Sequence, residues 1–350
     1  MAAVLCAPAA LRAAEPLRIG VAGVSHGHIH EVISKAHRGD FTVVGVWEAN
    51  DSLRAATHLH DKVDGALFYA DLDRMLDQTQ PEAVVAFGPV YDHLQVVEAC
   101  APRGIHVMVE KPLAISVEHA HRIADLARRY GIIVMTNYET TWYATNDEAF
   151  RLVRAGVIGE ITRMNIFDGH QGPVEIGCGP EFLAWLTDPK LNGGGAVMDF
   201  GCYGANLATK MFLGEKPLKV SGVLKQQKPH IYPKVDDDAT IVLEYPTATV
   251  EIMASWNWPM NRKDMHIYGS HGYIYQDTDG RETHLAPQRL PAPYDDSFRY
   301  LAALVRGEIT MAPYDLSALE NNVTVVEILE AAKHNAAGTP VRPAQPPRTK

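Results

Sequence analysis

Over the first 138 residues, apolar runs alternate with stretches in which apolar side chains recur every three or four positions. Continuous apolar runs are typical of parallel strands covered on both faces, and we predict strands at Leu17–Val24, Thr42–Glu48, Ala83–Phe87, His106–Glu110 and Ile132–Met135. The stretches between them predict helices at His28–His37, from Ser52, from Asp92 to Ala101, and at Ser116–Tyr130. This alternation predicts a parallel sheet with right-handed crossovers.

Two helix boundaries are predicted from single residues. Asp92 is expected to cap the helix that begins after it, because aspartate accepts from free backbone N–H groups at that position. Gly131 is expected to end the helix before it. The buried face of that helix is predicted to consist of Ala120, Ile123, Ala127 and Tyr130.

After about Tyr138 the pattern changes to short strands joined by tight turns, which favours a mainly antiparallel sheet. We predict strands at Ile161–Phe167, Lys219–Leu224, Ala239–Glu244, Ala248–Ser255, Asp264–Tyr268 and Tyr273–Tyr275. Helices are predicted at Thr145–Ala155, Gly195–Leu213, Asp295–Arg306 and Asp315–Asn335.

Composition and charge argue against several classes of protein. The net charge is -10 and no long basic run is present, so we expect no nucleic-acid partner. No apolar segment reaches the length of a membrane span. The four cysteines form no CxxC pair, and neither a disulfide framework nor a zinc site is predicted from them.

The two ends of the chain differ in composition from the rest. Residues 1–15 are Ala-rich and resemble the end of an export signal that lacks its charged region, so we expect a leader or a disordered segment. This predicts a periplasmic or exported protein; the alternative is a cytoplasmic protein with a frayed N-terminus. The Pro-rich residues 339–350 are expected to be a disordered tail.

The turn after the first strand, Gly-Val-Ala-Gly-Val-Ser-His-Gly-His, resembles a degenerate dinucleotide fingerprint. Aligned from Gly23, Ser25 takes the second glycine position and His28 the third, with Gly27 one place early. The turn opens a helix whose N–H groups can face a pyrophosphate. We expect all four residues and His26 to contact the cofactor. The group of His26, His28 and His30 therefore predicts a phosphate-binding turn better than a metal site.

An acidic residue follows at the place where a dinucleotide ribose would lie. Glu48 ends the second strand, 25 residues after Gly23. A carboxylate there repels a 2′-phosphate, and the nearest following cation is Arg54. NAD is therefore the predicted cofactor, with NADP as the alternative; a solvated glutamate is the other interpretation of Glu48.

A second motif, Glu110-Lys111-Pro112-Leu113-Ala114, directly follows the fourth strand. A lysine at the carboxyl end of a central strand lies over the ligand crevice of such a sheet, and the proline restricts it to an extended backbone. Together with GGGAVMDFGCYGAN at 193–206 and the segments ending at His93, at 154–161 and at 260–274, this motif resembles the Gfo/Idh/MocA oxidoreductases. The resemblance covers about residues 17–340.

The resemblance implies a two-domain fold and a chemistry. We expect an α/β Rossmann domain with a parallel sheet at residues 16–138, and an α+β domain with a mainly antiparallel open sheet at residues 139–338. It implies bound NAD or NADP, a sugar or polyol substrate, and a homodimer or homotetramer formed through the C-terminal sheet. Pro89, His93, Glu110 and Lys111 are the further expected cofactor contacts.

One departure from the family pattern bears on the chemistry. Most members have histidine where this chain has Tyr203, which resembles the branch containing glucose–fructose oxidoreductase. Asp199 and Tyr203 are four residues apart on a predicted helix and would share a face. We expect the Lys111 ammonium to lower the pKa of Tyr203, so that Tyr203 acts as general base, with Lys111 its charge partner and Asp199 orienting the substrate hydroxyl. A half-buried structural tyrosine is the alternative.

Three aromatic residues, His170, Trp142 and Trp185, are predicted to line a sugar site, although core packing is the simpler explanation for any one of them. The predicted function is hydride transfer between nicotinamide and a hydroxyl carbon of a sugar or polyol. The alternative is an NAD-dependent glycoside hydrolase that oxidises its substrate transiently and keeps the cofactor bound. A non-catalytic binding protein is disfavoured, because Lys111, Asp199 and Tyr203 are all present.

Overall fold

The computed structural model describes residues 15–62, 67–278, 285 and 287–336. The expected leader, apart from Glu15, and the expected tail at 339–350 lie outside the described residues. Two six-stranded sheets organise the described chain.

The first sheet is fully parallel, with strand order β3-β2-β1-β4-β5-β6. Its strands are β1 (Leu17–Ala22), β2 (Phe41–Trp47), β3 (Phe68–Tyr69), β4 (Ala83–Ala86), β5 (His106–Glu110) and β6 (Val134–Asn137). Its helices are α1 (Ile29–Lys35), α2 (Asp51–Ala56), α3 (Leu72–Thr79), α4 (His93–Cys100) and α5 (Val117–Tyr130). The order reverses at β1 and β4, and ligands of such sheets bind at the carboxyl ends of the strands at this point. The parallel Rossmann prediction is confirmed.

Four details of this domain differ from the sequence-based expectation. Neither the two-residue β3 nor α3 was predicted, although Asp71 caps α3 by accepting from Arg74 N at 2.7 Å. Asp92 precedes α4 but makes no side-chain capping bond, so that prediction is wrong. Tyr130 is 42% exposed because it lies in the last turn of α5, beyond the edge of the core.

The second sheet is mostly antiparallel, with strand order β12-β11-β7-β10-β9-β8, and only β7 and β10 pair in parallel. Its strands are β7 (Ile161–Gly169), β8 (Lys219–Lys225), β9 (Asp238–Glu244), β10 (Thr249–Ser255), β11 (Arg262–Gly269) and β12 (Tyr273–Gln276). The remaining helices are α6 (Ala144–Arg154), α7 (Pro180–Leu186), α8 (Pro189–Asn192), α9 (Ala196–Asp199), α10 (Gly201–Met211), α11 (Ser297–Val305) and α12 (Leu319–His334). Burial alternates strictly along β9, so one face of the sheet is covered and the other is open.

The C-terminal helices return to the first sheet. In α11, Phe298 stacks on Phe41 of β2 with ring centroids 4.7 Å apart. In α12, Val326 joins the core on the opposite face of the first sheet, and Glu330 accepts from Val117 N at 3.0 Å. Within the part of the chain that the structure describes, no helix combines the length and the apolar character needed to cross a membrane.

The single helix predicted at Gly195–Leu213 is divided at Phe200 into α9 and α10. In a continuous helix the carbonyl of Asp199 would accept from the N–H of Tyr203. Here that carbonyl accepts from Lys111 Nζ at 3.0 Å, and the N–H of Tyr203 donates to Phe200 O at 3.1 Å. The predicted four-residue spacing on one helix is therefore wrong. Asp199 ends α9, and Tyr203 lies in the first turn of α10.

We predict that Gly195→Ala lowers the melting temperature strongly. An added Cβ would lie 1.8 Å from the backbone oxygen of Asp236, and backbone cannot rotate away as a side chain does. Overpacking of this kind typically costs about 1–3 kcal/mol or more. The control is Gly104→Ala, where φ is +69° but no atom lies within 4 Å, so only the backbone strain of about 1–2 kcal/mol applies. Equal melting temperatures for the two variants would contradict the packing described here.

Candidate active site

Two adjoining cavities lie where the carboxyl ends of the first sheet face the second domain. We call the smaller one, of about 390 Å³, the Glu48 cavity; its wall includes Gly23, Ser25, Glu48, Pro89, Asp92, Glu181 and Trp185. We call the larger one, of about 590 Å³, the Lys111 cavity; its wall includes Ser25, His26, Gly27, His28, Lys111, Glu139, His170, Glu181, Asp199, Tyr203 and Lys263. Ser25 and Glu181 line both cavities.

The carboxylate of Glu48 is held in one orientation at the end of β2. Its Oε2 accepts from Val24 N at 3.1 Å, and its Oε1 accepts from Asn50 N at 2.8 Å. A second carboxylate, Asp92, lies on the same cavity wall, and burial together with the charge of Glu48 raises the pKa of Asp92 to about 6. The Glu48 cavity is therefore acidic.

The turn after β1 requires glycine only at its first fingerprint position. Gly23 has φ +78°, and an added Cβ would lie 2.7 Å from the Cα of Gly88. Gly27, in contrast, has open space around it. Ser25 and His28 occupy the positions where a full fingerprint has glycine, so side chains reach this part of the cavity wall.

His28 forms the first link of a buried hydrogen-bond network. Its Nδ1 lies 3.0 Å from Glu110 Oε2, and Asn137 Nδ2 donates to Glu110 Oε1 at 2.8 Å. Burial lowers the pKa of His28, but the Glu110 carboxylate outweighs it and the pKa is raised overall. Burial conversely raises the pKa of Glu110, yet His28, His26 and Asn137 bring it down to about 2. At any pH below the raised pKa of His28, the imidazole is protonated and forms an ion pair with the Glu110 carboxylate.

His26 lies between the two domains. Its ring packs edge-to-face on Phe182 of α7 at 5.0 Å and lies 5.7 Å from the ring of Trp185. Burial, assisted by the charge of His28, lowers the pKa of His26 well below its ordinary value, so the imidazole is neutral. Its Nδ1 accepts from the N–H of His28 at 3.0 Å.

His26, His28 and Glu110 also have the spacing of a possible metal triad. One ligand atom from each residue lies within 4.8 Å of the others. The sequence suggested a different trio, but His30 is turned away and its Nδ1 lies 2.7 Å from Gly27 O. Within the triad, His28 and Glu110 already bond each other, so each has a partner without a metal ion. That the protein uses no metal here stays a prediction.

Lys111 and Asp199 form a buried ion pair between the two domains. Lys111 Nζ bonds Asp199 Oδ1, and Trp256 Nε1 donates to Asp199 Oδ2 at 2.9 Å. Burial disfavours both charges, but the pairing prevails, so the pKa of Lys111 is raised and that of Asp199 is lowered. The second domain thereby fixes the ammonium group over the cavity.

The Tyr203 ring lies close to two ammonium groups. The Nζ atoms of Lys111 and Lys263 are 5.2 Å and 4.9 Å from its centroid. The expectation that Lys111 lowers the pKa of Tyr203 is nevertheless wrong. Burial, and after it the charge of Glu139, raises the pKa of Tyr203 well above its ordinary value. The ammonium group of Lys111 is paired with the Asp199 carboxylate, and Tyr203 is a neutral phenol.

Other predicted residues are distributed over different places. His170 lines the Lys111 cavity as expected, 4.9 Å from the Phe200 ring. Trp185 lines the Glu48 cavity instead, and Trp142 lines a third cavity. His93 lines none of these three; its Nδ1 lies 3.1 Å from Leu113 O, so it supports the 110–114 segment from below.

Several residues in or next to the Lys111 cavity were missed by sequence reasoning. Lys263 at the start of β11 forms an ion pair with Glu139, which also accepts from the hydroxyl of Tyr143. Lys263 lies inside the 260–274 stretch that carried part of the family resemblance, and that was the available signal. Glu139 and Trp256 had none, because the fold alone brings them to the site.

The comparisons with known proteins agree with this geometry. Residues 17–138 match the family described as an oxidoreductase family with an NAD-binding Rossmann fold, and residues 147–275 match the GFO/IDH/MocA C-terminal domain. The fold and the two matches define an NAD(P)-binding oxidoreductase. The chain belongs to the Gfo/Idh/MocA family, as the resemblance implied; its place in the tyrosine-containing branch stays a prediction.

Some of the relatives are named for sugars or sugar derivatives, and others are named trans-1,2-dihydrobenzene-1,2-diol dehydrogenase. The chain is 28% identical over 264 residues to dTDP-3,4-didehydro-2,6-dideoxy-alpha-D-glucose 3-reductase of Streptomyces antibioticus, covering 75% of each chain. It is 24% identical to D-xylose 1-dehydrogenase (NADP+) of Haloarcula marismortui, covering 66% of this chain and 64% of that one. The fold also resembles an inositol dehydrogenase homolog complexed with NAD+ from Azotobacter vinelandii, at TM-score 0.77 and 18% identity over 92% of this chain and 96% of that one.

We predict that Lys111→Met and Asp199→Asn each destabilise the fold by about 3–5 kcal/mol, because each leaves an uncompensated buried partner. In Lys111→Met the pKa of Asp199 rises above its unfolded value, so the lost stability should return as the pH falls. The double variant should lose less unfolding free energy than the two single variants lose when their losses are added. Arg151→Met, which breaks an exposed pair with Glu148, is the control and should change little. Additive losses in urea unfolding would contradict the coupling.

Proposed function

We propose that the chain transfers a hydride between NAD and a hydroxyl-bearing carbon of a sugar or polyol. The observation that carries the proposal is the convergence of Lys111, Asp199 and Tyr203 on a cavity adjoining the one that holds Glu48. A dinucleotide is long enough to need both cavities, and a substrate needs the room that remains in the larger one. The sugar-active relatives support the substrate class.

The residues present fit a dinucleotide. The backbone of Gly23 approaches that of Gly88 without side chains between them, and the oriented Glu48 carboxylate suits ribose hydroxyls. At the third glycine position the chain offers the His28 imidazole, whose pKa is raised beside Glu110. We propose that this imidazole, when protonated, supplies positive charge to the pyrophosphate. It does so at a position where a glycine would leave the backbone uncovered.

The proton chemistry is assigned to three side chains. A bound nicotinamide cofactor would supply the redox chemistry, as NAD+ when the substrate is oxidised and as NADH when it is reduced. Tyr203 Oη donates a proton to the substrate oxygen in reduction and removes it in oxidation. Lys111 Nζ donates a hydrogen bond to that oxygen, and Asp199 holds Lys111 in place. The raised pKa of Tyr203 keeps its proton at neutral pH, which favours the reductive direction there.

The preference for NAD over NADP is supported by two carboxylates. Glu48 and Asp92 both line the Glu48 cavity, where a 2′-phosphate would meet like charge. Arg54 does not compensate, because its guanidinium donates to the backbone oxygen of Glu48 at 2.6 Å and pairs with Asp51. The NADP-dependent relative differs from this proposal and makes the preference worth testing.

Three further expectations remain proposals. The open face of the second sheet is proposed as the contact of a homodimer or homotetramer. Export to the periplasm is proposed from residues 1–15, with the cytoplasm as the alternative. The relatives named above do not support the glycoside hydrolase alternative, because they are a reductase and a dehydrogenase by name.

We predict that Tyr203→Phe lowers turnover roughly 10²–10⁴-fold, the usual contribution of general acid–base catalysis, while NAD still binds. Because the pKa of Tyr203 is raised, the wild-type oxidation rate should keep rising with pH beyond the ordinary tyrosine pKa of about 10. This rise of the oxidation rate with pH should be absent in Tyr203→Phe. A panel of sugars and polyols, followed at 340 nm and by product analysis, measures both.

The matched control is Tyr138→Phe, since the Tyr138 ring lies 5.4 Å from that of Tyr203 but lines neither cavity of the site. Its turnover should stay near that of the wild type. Near-normal turnover in Tyr203→Phe would assign the proton transfer to the lysine, if Lys111→Met loses turnover under conditions where circular dichroism shows that this variant is still folded.

We predict that NAD binds at least about tenfold more tightly than NADP, and that Glu48→Gln narrows this ratio by removing the charge. Asp61→Asn is the control, because its exposed carboxylate lies a few residues further along the chain and outside the cavity wall. Fluorescence titration with both cofactors gives the two ratios. Tighter binding of NADP to the wild type would refute the assignment of Glu48.

A further inference from the structure

A second ion pair lies on the wall of the Lys111 cavity. Lys263 Nζ, at the start of β11, bonds Oε2 of Glu139, which follows β6. The pair therefore joins the second sheet to the chain that leaves the first sheet. The other carboxylate oxygen of Glu139 accepts from the hydroxyl of Tyr143, so both oxygens of the carboxylate are held.

The phenol of Tyr203 lies next to this pair. Lys263 Nζ is 4.9 Å from the centroid of the Tyr203 ring while it bonds Glu139, so the ring, the ammonium group and the carboxylate form one cluster. All three side chains line the Lys111 cavity. A charge this close to a phenol acts on its proton, because an anion disfavours the phenolate and a cation favours it.

Other charged and titratable groups surround Tyr203. Lys111 is the second cation, with its Nζ 5.2 Å from the ring centroid, but it is paired with Asp199. Burial is the largest cause of the raised pKa of Tyr203, and the charge of Glu139 is the next. Three further groups raise this pKa after Glu139, namely the thiol of Cys202 in α10 and the carboxylates of Asp199 in α9 and Glu110 in β5.

Two more titratable side chains lie near the cluster, and burial keeps both from competing with Glu139. The Tyr138 ring lies 5.4 Å from that of Tyr203, and burial raises the pKa of Tyr138 well above its ordinary value. Burial likewise raises the pKa of Asp168, on β7 near Lys263, well above its ordinary value. Glu139 is therefore the anion that acts most strongly on the phenol.

Glu139 also differs from the other two carboxylates in its exposure. The side chains of Glu110 and Asp199 are 1% and 6% exposed, whereas that of Glu139 is 45% exposed. Removing the charge of Glu139 therefore avoids the folding penalty expected for Asp199. Its effect on Tyr203 can thus be measured in a folded protein.

We propose that Glu139 and Lys263 are positioning residues: Lys263 holds the Glu139 carboxylate beside Tyr203, and that carboxylate keeps the phenolic proton on Tyr203 until a substrate oxygen takes it. The inference rests on the proposed function, in which Tyr203 exchanges a proton with the substrate oxygen. Its consequence is a bias toward reduction. A phenol that keeps its proton can donate it at neutral pH but is rarely free to accept one.

The experiment breaks the ion pair from either side. Glu139→Gln removes the anion, so Tyr203 should ionise at lower pH and the oxidation rate at neutral pH should rise roughly tenfold. Lys263→Met removes the cation and leaves Glu139 unpaired, so the oxidation rate should fall by a comparable factor. Loss of a merely structural contact would instead change the rate in the same direction in both variants.

The ionisation of Tyr203 is followed directly by NMR of the full chain labelled with ¹³C at the tyrosine Cζ atoms, and Tyr203→Phe assigns the resonance. We expect this resonance to titrate at lower pH in Glu139→Gln than in the wild type, and no earlier than the wild type in Lys263→Met. The control is Glu148→Gln, which removes a carboxylate from a pair with Arg151 outside the cavity wall. It should match the wild type.

The two readouts separate this inference from the proposed function. Near-normal turnover in Tyr203→Phe would refute the role of Tyr203 in the reaction, whatever the titrations show. If Glu139→Gln does not lower the pH at which Tyr203 ionises, the inference is overturned. A change of the oxidation rate in the same direction in Glu139→Gln and Lys263→Met would also overturn it.

Discussion

The ion pair between Lys111 and Asp199 is the interaction on which the site depends. Lys111 follows β5 of the parallel sheet, and Asp199 ends α9 of the second domain, so the bond crosses the boundary between them. Both groups are buried, and Trp256 satisfies the second carboxylate oxygen. A buried pair of this kind is sustained only while every partner is present, since each charge alone is costly in the interior.

The same pair shapes the backbone. Lys111 takes the carbonyl of Asp199 as well as its carboxylate, and the helix is interrupted there. Tyr203 lies in the first turn of the next helix, with its ring beside both Lys111 and Lys263. One lysine thus contacts the second domain, the break between two helices and the phenol ring.

Much of the fold could be predicted because its signals are local. Buried parallel strands such as β4 and β5 are continuous apolar runs, and α5 has a cap, an apolar face and a glycine stop within its own residues. The two-residue β3 is too short to carry a pattern. The break at Phe200 could not be predicted, because the lysine that bonds the carbonyl at the break lies 88 residues before Asp199 in the chain.

The candidate site shows the same division. Gly23, Glu48 and Lys111 stand at strand ends, where position alone indicates a ligand. Lys263, Glu139 and Trp256 reach the site only through the pairing of the second sheet and its contact with the first. The pKa of Tyr203 was misjudged because burial, and the commitment of Lys111 to Asp199, are properties of the packed structure.

The ring junction of His26, Phe182 and Trp185 has a consequence for stability. His26 belongs to the first domain and the other two rings to α7 of the second, and they line the two adjoining cavities. A molecule that occupies both cavities at once lies against side chains of both domains. Its binding therefore stabilises the contact between the domains as well as each domain by itself.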